Sequence, residues 1–315
     1  FMVVLASLYT RTFYGCKRLF ARLPVRRHFR PAIGALLTGL LAALLYVAAS
    51  YFLADPPRGG AGGAHQVLAV LAFGYSAIQD ALTQETGVET GDEHTVKISD
   101  MRAQLLNPDL SCPVIFYTIF SGIDRKSLLK RKNLLLELYV IPQNLAGIEY
   151  VKTKGMRIGE HPILVEVVCG HITLVLQSKR YDVLGDGLTS MIVKMKRGDK
   201  YVIPPDTDVV VVNGRQMSAV VALVRSAKSE IETVFDDTRG GAHYVIRKNA
   251  RQEIVQNPNF RKVTKLRPCK PEDLYRQFGL TARTPIFKQI LRKYDRFKWL
   301  HDPQKVDWNK IPRCQ

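Results

Sequence analysis

Between residues 148 and 246 the chain is cut into eight short runs that alternate or are rich in β-branched residues. They cover 148–152, 163–169, 172–177, 191–196, 201–203, 208–213, 219–224 and 242–246. Turn formers stand between them: Gly155 and Gly159, Cys169-Gly170, Gly185-Asp186-Gly187, Arg197-Gly198-Asp199, Pro204-Pro205-Asp206, Asn213-Gly214 and Gly240-Gly241. Many short strands at regular spacing predict a mainly β domain, a sandwich or a barrel. The run from Asp208 to Asn213 holds four consecutive Val and is too continuously apolar for an edge, so it is predicted as an interior strand. The polar, acidic stretch 84–97 (QETGVETGDEHTVK) is predicted as the linker that precedes this domain.

A chain of 315 residues has room for about two domains. A hydrophobic content of 46% excludes bulk disorder, and five widely spaced Cys with no Cys-x-x-Cys pair argue against a thiolate zinc site or a dense disulfide framework. The scattered thiols fit a reducing compartment. The net charge of +18 suggests nucleic acid until it is mapped. Residues 1–83 carry +6, residues 258–315 carry +10, and the span between them only +2. The β domain is therefore nearly neutral and is not expected to extend the basic patch of the tail, so nucleic acid is not an expected partner.

Residues 31–54 (PAIGALLTGLLAALLYVAASYFLA) form a 24-residue run without a charge. As a helix it would reach roughly 36 Å, enough to cross a bilayer core of about 30 Å. Gly34 and Gly39 suit a packed membrane helix, and Tyr46, Tyr51 and Phe52 suit an interfacial belt at its far end. Arg11, Lys17, Arg18, Arg22, Arg26, Arg27 and Arg30 precede it, which places residues 11–30 on the cytoplasmic side and favours anionic lipid headgroups. The apolar stretch 67–82 is either a re-entrant or returning segment or a surface helix. A returning segment would set the downstream domain in the cytoplasm. The expected localisation is thus the membrane, with the β domain facing the cytoplasm.

Three pieces of this region, RLFARLP at 18–24, RPAIGALLTGLLAALL at 30–45 and FGYSAIQDAL at 73–82, resemble the opening of the second half of CLC-type chloride channels and transporters. Ser76 stands where that family usually has the last glycine of its turn. The family's glycine-rich selectivity loops have no counterpart here, so conduction is not expected of this piece alone. An opening Phe1 in place of Met fits a trimmed chain or the tail end of a longer or fused gene.

Within 98–265 an ordered series of motifs resembles the cupin-type glucose-6-phosphate isomerase family. The series is Ser99-Asp100-Met101, Pro113-Val-Ile-Phe-Tyr117, Tyr150-Val-Lys-Thr-Lys-Gly155, Pro162 with Glu166-Val167, and Leu174-Val-Leu-Gln177. It continues with Gly198-Asp-Lys-Tyr-Val-Ile-Pro-Pro205, Asn213, Arg239-Gly-Gly241 and Asn257-Pro258. The resemblance implies a cupin-like β-barrel, or jelly roll, and metal-assisted aldose–ketose interconversion of a sugar phosphate. It also implies where the metal ligands should stand. The family's Thr-x-Gly-His-x-His reads here Thr153-Lys154-Gly155-Met156-Arg157-Ile158, its glutamate falls at Ile163, and its last histidine falls near Val209. None of the four replacements serves a hard divalent metal, so no metal and no cofactor are expected. Glu160, His161, Glu166 and His171 would be the material for a rearranged site. Thr153, Lys154 and Gly155 match the part of the motif that holds the sugar phosphate, and they are the candidate substrate-binding residues.

In the tail, residues 266–315, Ile286, Phe287, Ile290, Leu291, Tyr294, Phe297 and Leu300 recur at helical spacing and predict one amphipathic helix after Pro285. Lys288, Arg292, Lys293, Arg296 and Lys298 line its other faces, so the helix is read either as packed on the barrel or as docked to anionic lipid or an acidic partner. The leading expectation is a membrane-anchored, degenerate cupin that binds or scaffolds. The alternatives are an active isomerase with a rearranged site and the cytoplasmic domain of a CLC-like transport protein. Cupin barrels with an exposed strand edge also make a homodimer plausible.

Overall fold

The structure, a computed structural model, describes residues 88–89, 91–178, 189–214, 217–260, 263 and 266–308. The membrane span expected at 31–54, and all of 1–83, lie outside the described residues. Among the described residues no helix is long and apolar enough to cross a membrane.

The described chain is mainly β. Its strands are β1 (Val88–Glu89), β2 (Glu93–Lys97), β3 (Ile115–Phe120), β4 (Asp124–Arg125), β5 (Leu134–Ile141), β6 (Leu145–Ala146), β7 (Glu149–Tyr150), β8 (Gly155–Ile158) and β9 (Ile163–Cys169). They continue as β10 (His171–Ser178), β11 (Thr189–Lys196), β12 (Lys200–Ile203), β13 (Thr207–Val212), β14 (Ala219–Ser226), β15 (Ile231–Val234), β16 (His243–Lys248), β17 (Arg251–Gln256) and β18 (Arg267–Cys269).

Two six-stranded sheets dominate. The first runs β15-β8-β13-β10-β11-β18 and the second β12-β9-β14-β5-β3-β2. A smaller sheet, β17-β16-β7-β6, stands beside them. From β8 to β9, β9 to β10, β11 to β12, β12 to β13 and β13 to β14 the chain changes sheet, which is the connectivity of a double-sheet jelly roll. One hydrophobic core takes side chains from the facing surfaces of both sheets. Period-two alternation sorts the first sheet cleanly: Leu174, Leu176, Val193, Met195, Val209 and Val211 enter that core, whereas Val175, Ile192, Val210 and Val212 form a second cluster with Val245 of β16 on the opposite face. The run of Val residues is interior as predicted, with β13 lying between β8 and β10.

Pairing begins inside the stretch read as a linker, because β2 is the outer strand of the second sheet and pairs with β3. The tail also departs from one continuous helix. Helix α1 (Ile98–Met101) lies between β2 and β3, and α2 (Tyr275–Phe278) and α3 (Ile286–Arg292) follow the last strand. After α3 the backbone breaks at Lys293 (φ −142°, ψ 55°) and continues as a 3₁₀ turn over Tyr294–Leu300. The break coincides with the capture of Trp299, which lies off the apolar stripe. Its ring sits 4.8 Å from that of Phe278, and Trp308 stacks on the same Phe278 at 5.8 Å. The stripe itself is buried, with Ile286, Ile290, Phe297 and Leu300 all joining the main core.

Candidate functional site

The register of the first sheet places the four positions discussed above. Met156 and Val209 are direct cross-strand partners on β8 and β13, and Ile158 lies on the same face two residues along. Ile163 opens β9 on the opposing sheet. Ile158, Ile163 and Val209 have no exposed surface, Met156 is nearly buried, and all four belong to the main hydrophobic core. Where the resemblance implies imidazole and carboxylate ligands, this chain puts thioether and hydrocarbon side chains packed against their neighbours. Those residues do not fit a metal ion.

The residues that could rebuild a site are dispersed. Glu166 points away from the core, where its Oε1 pairs with Lys200 Nζ at 3.0 Å and its Oε2 accepts from the Ile286 amide at 2.7 Å. His171 stands on the outer side of the other sheet, paired with Lys196, and Glu160 is exposed on a turn. No group of three or more His, Cys, Asp or Glu side chains that could hold a metal ion occurs among the described residues.

Thr153, Lys154 and Gly155 lead into β8, and most of their hydrogen-bonding capacity is already used. The Thr153 hydroxyl accepts from the Val211 amide at 3.1 Å, while its own amide donates to the Val211 carbonyl at 2.9 Å. The Lys154 amide donates to the Tyr117 hydroxyl at 3.3 Å, and the Gly155 amide to Gln104 Oε1 at 2.7 Å. Gly155 has a packing reason of its own, since a Cβ there would lie 2.1 Å from the ring of Phe235. Lys154 is half-buried, and its ammonium has no hydrogen-bond or ion-pair partner among the described residues.

Gln104 links these residues to a buried polar network. Its Nε2 donates to the Val234 carbonyl and to Asp236, and its main-chain carbonyl accepts from Lys152 Nζ at 2.7 Å. Lys152 also pairs with Glu149, whose second oxygen accepts from the Leu106 amide. The motif residues Gly240, Gly241 and Asn257 are tied together in the same region, because Asn257 Nδ2 donates to both glycine carbonyls. These motifs therefore hold loops together.

One polar group set does face the barrel interior. Glu137 Oε1 accepts from Arg225 Nη2 at 2.8 Å, and Glu137 Oε2 accepts from the Tyr139 hydroxyl at 3.4 Å. Tyr139 stacks with Tyr117 at 6.0 Å between centroids and lies 3.9 Å from Met156 Sδ. Burial pushes the Tyr117 phenol up to about 12 and raises Tyr139 further, so both stay protonated at neutral pH. The carboxylate is matched by a guanidinium and a phenol.

A cavity of about 550 Å³ opens elsewhere, on the outer side of the first sheet. His171, Thr173, Lys194, Lys196, Gln252 and Lys270 contribute to its wall. The sequence reading missed it, although one signal was present: Lys194 and Lys196 sit two apart in a predicted strand, which puts both on one face. Cys269, at the same wall, is disulfide-bonded, whereas Cys112 and Cys169 are free. That bond departs from the expectation of uniformly reduced thiols.

No protein-family model matches the chain, and no curated protein matches it. Among solved structures, it is similar to vicilin from Corylus avellana (hazelnut), with 13% identity, 39% of this chain and 34% of that chain covered, and a TM-score of 0.33. It is also similar to Peruvianin-I, a cysteine peptidase from Thevetia peruviana latex, at 18% identity over 33% and 56% with a TM-score of 0.27. An oxalate oxidase in complex with the substrate analogue glycolate matches at 13% identity over 33% and 47%, also with a TM-score of 0.27. The chain spans less than two thirds of the length of each of these chains.

Proposed function

We propose that the β domain is a degenerate cupin of the glucose-6-phosphate isomerase type that binds or scaffolds rather than catalyses, carried on a membrane-anchoring N-terminal segment. The observation that carries this reading is the burial of Met156, Ile158, Ile163 and Val209 in one hydrophobic core. Isomerisation across two adjacent carbons needs a positioned base and a polarising group. The interior supplies a Glu137 carboxylate already bonded to Arg225 and Tyr139, and among the described residues no ligand set. Retention of a sugar phosphate at 153–155 would rest on the Lys154 ammonium, since the hydroxyl of Thr153 and the amide of Gly155 are engaged within the protein.

The test is metal analysis of the purified full chain together with an assay of glucose-6-phosphate isomerisation. The reading predicts neither stoichiometric metal nor turnover. Stoichiometric iron, manganese or zinc accompanied by turnover would overturn it and favour the rearranged isomerase. Membrane anchoring has a separate test: the full chain should require detergent for extraction, and recovery in the soluble fraction without detergent would remove the span at 31–54. Finding the remaining pore helices upstream in the same gene would favour the CLC-like alternative.

A further inference from the structure

We infer that the cavity on the outer side of the first sheet is a binding site for a small phosphate-bearing anion. The inference starts from strand register. His171 is directly opposite Lys196, and Thr173 directly opposite Lys194, across the β10–β11 ladder. Alternation puts all four on one face, the face opposite the hydrophobic core. Strand β18 runs parallel to β11 with Cys269 beside Val193, so Lys270, the next residue, extends along the flank of Lys194.

Three lysines are thus brought to one patch. Side chains two apart on a strand, or on neighbouring strands, are separated by roughly 5–8 Å, and like charges at that spacing destabilise a sheet. Among the described residues no salt bridge ties any of the three down. Lys194, Lys196 and Lys270 are exposed, and none of their ammonium groups has an ion-pair partner among the described residues. Two carboxylates lie at the same wall, Asp199 and Glu272. Asp199 is 7% exposed and accepts from the Lys196 amide at 2.8 Å, so it serves the turn after β11.

The cavity supplies what a flat basic patch would lack. Its volume of about 550 Å³ is in the range of small-ligand sites. Its floor is partly apolar, formed by Ile192 and Pro268, and Thr173 with Gln252 places a hydroxyl and an amide beside the lysines. Multiple ammonium groups converging on one concave site match a phosphate ester or pyrophosphate, with the neutral donors left for hydroxyls on the remainder of the ligand. The same chemistry is offered by a soluble phosphorylated metabolite and by a phosphorylated lipid headgroup. This inference rests on the reading of the domain as a binding module. Metal content and turnover test that reading, and anion titration tests this one, so the two fail separately.

The experiment is calorimetric titration of the full chain in non-ionic micelles, with inorganic pyrophosphate as one titrant and dioctanoyl phosphatidylinositol bisphosphate as the other. Saturable binding is expected, weakening as salt is raised. Each of Lys194→Ala and Lys270→Ala should weaken it by about tenfold or more, the range for losing one charged contact. Lys298→Ala, which removes a surface lysine paired with Asp295 at 2.7 Å in the tail, should leave it unchanged. Lipid binding at least about tenfold tighter than pyrophosphate would identify a headgroup as the source, and equal or weaker lipid binding a soluble ester. Absence of saturable binding by either titrant, or an equal loss in Lys298→Ala, would overturn the inference. The substituted lysines are exposed, and unchanged melting of each variant confirms that any loss is local.

Discussion

Lys200 and the pair Lys194 and Lys196 lie within seven residues of one another on consecutive strands, yet their surroundings are opposite. Lys200, on β12 of the second sheet, is fully buried. Its ammonium pairs with Glu166 at 3.0 Å and donates to the carbonyls of Gly198 at 2.9 Å and Ala282 at 3.3 Å. The tail lies over it. Lys194 and Lys196, on β11 of the first sheet, are exposed on a face that β16 and β17 cover only in part. The contrast teaches that charge on an outer face has two fates here. Where the chain folds back over it, the charge becomes a fastening between barrel and tail; where the cover stops short, the charge stays available to a ligand.

The comparison can be broken most forcefully at the fastening. Glu166→Ala would leave Lys200 buried without its counter-charge, and chemical denaturation should show a loss of about 3–5 kcal/mol. A loss below about 1 kcal/mol, the level of a surface pair, would mean that the tail does not seal this site. The inner face of the first sheet gives the next largest effect. Leu174 has no exposed surface, and Leu174→Ala should cost about 2–5 kcal/mol in the same assay.

A smaller effect concerns how the cover is attached to the open face. The ring Nδ1 of His243, at the start of β16, lies 2.8 Å from the hydroxyl of Ser190 on β11. Burial lowers the His243 pKa, so the folded state favours neutral imidazole. An unfolded chain then binds more protons near the ordinary histidine value of about 6.5, and stability rises with pH there. The contribution is fully present above that value and is lost as pH falls through it toward the lower folded value. His243→Gln should flatten the corresponding slope in melting temperature between mildly acidic and neutral pH; an unaltered slope would assign it elsewhere, for instance to His301, whose pKa burial also lowers. The smallest change is expected at the open lysines. Lys194→Ala should alter stability by no more than about 0.5 kcal/mol, because no partner is lost with it. A loss as large as that of Glu166→Ala would erase the distinction between the two surroundings.

Much of the β architecture was legible because local pattern and tertiary role agree there. The run Ile163–Cys169 is β9 residue for residue, and Asp208–Asn213 overlaps β13 almost entirely. β5, Leu134–Ile141, was not identified, since a run that is apolar but for Glu137 carries no period that separates strand from helix. The tail pattern predicts one helix because its stripe is regular, whereas the chain breaks at Lys293 and continues as a 3₁₀ turn with Trp299 packed on Phe278. The replaced ligand positions were readable as residue types; that they join one core required the register of β8 against β13. The cavity was not readable, since Lys270 reaches β11 only through a parallel pairing across more than seventy residues of chain. Likewise, nothing local in Thr153 or Gly155 announces that their polar groups are taken by Val211 and Gln104.

The interior of this domain is apolar where the resemblance implies a metal site, and its exposed lysines stand on the outer face of the first sheet. An amide chemical-shift map of the full chain in micelles, titrated with inorganic pyrophosphate, tests it directly. Shifts are expected to centre on His171, Thr173, Lys194, Lys196 and Lys270, with Met156, Ile158 and Val209 unmoved. Shifts centred on Met156, Val209 and Lys154 instead would contradict it, because they would place the anion inside the barrel.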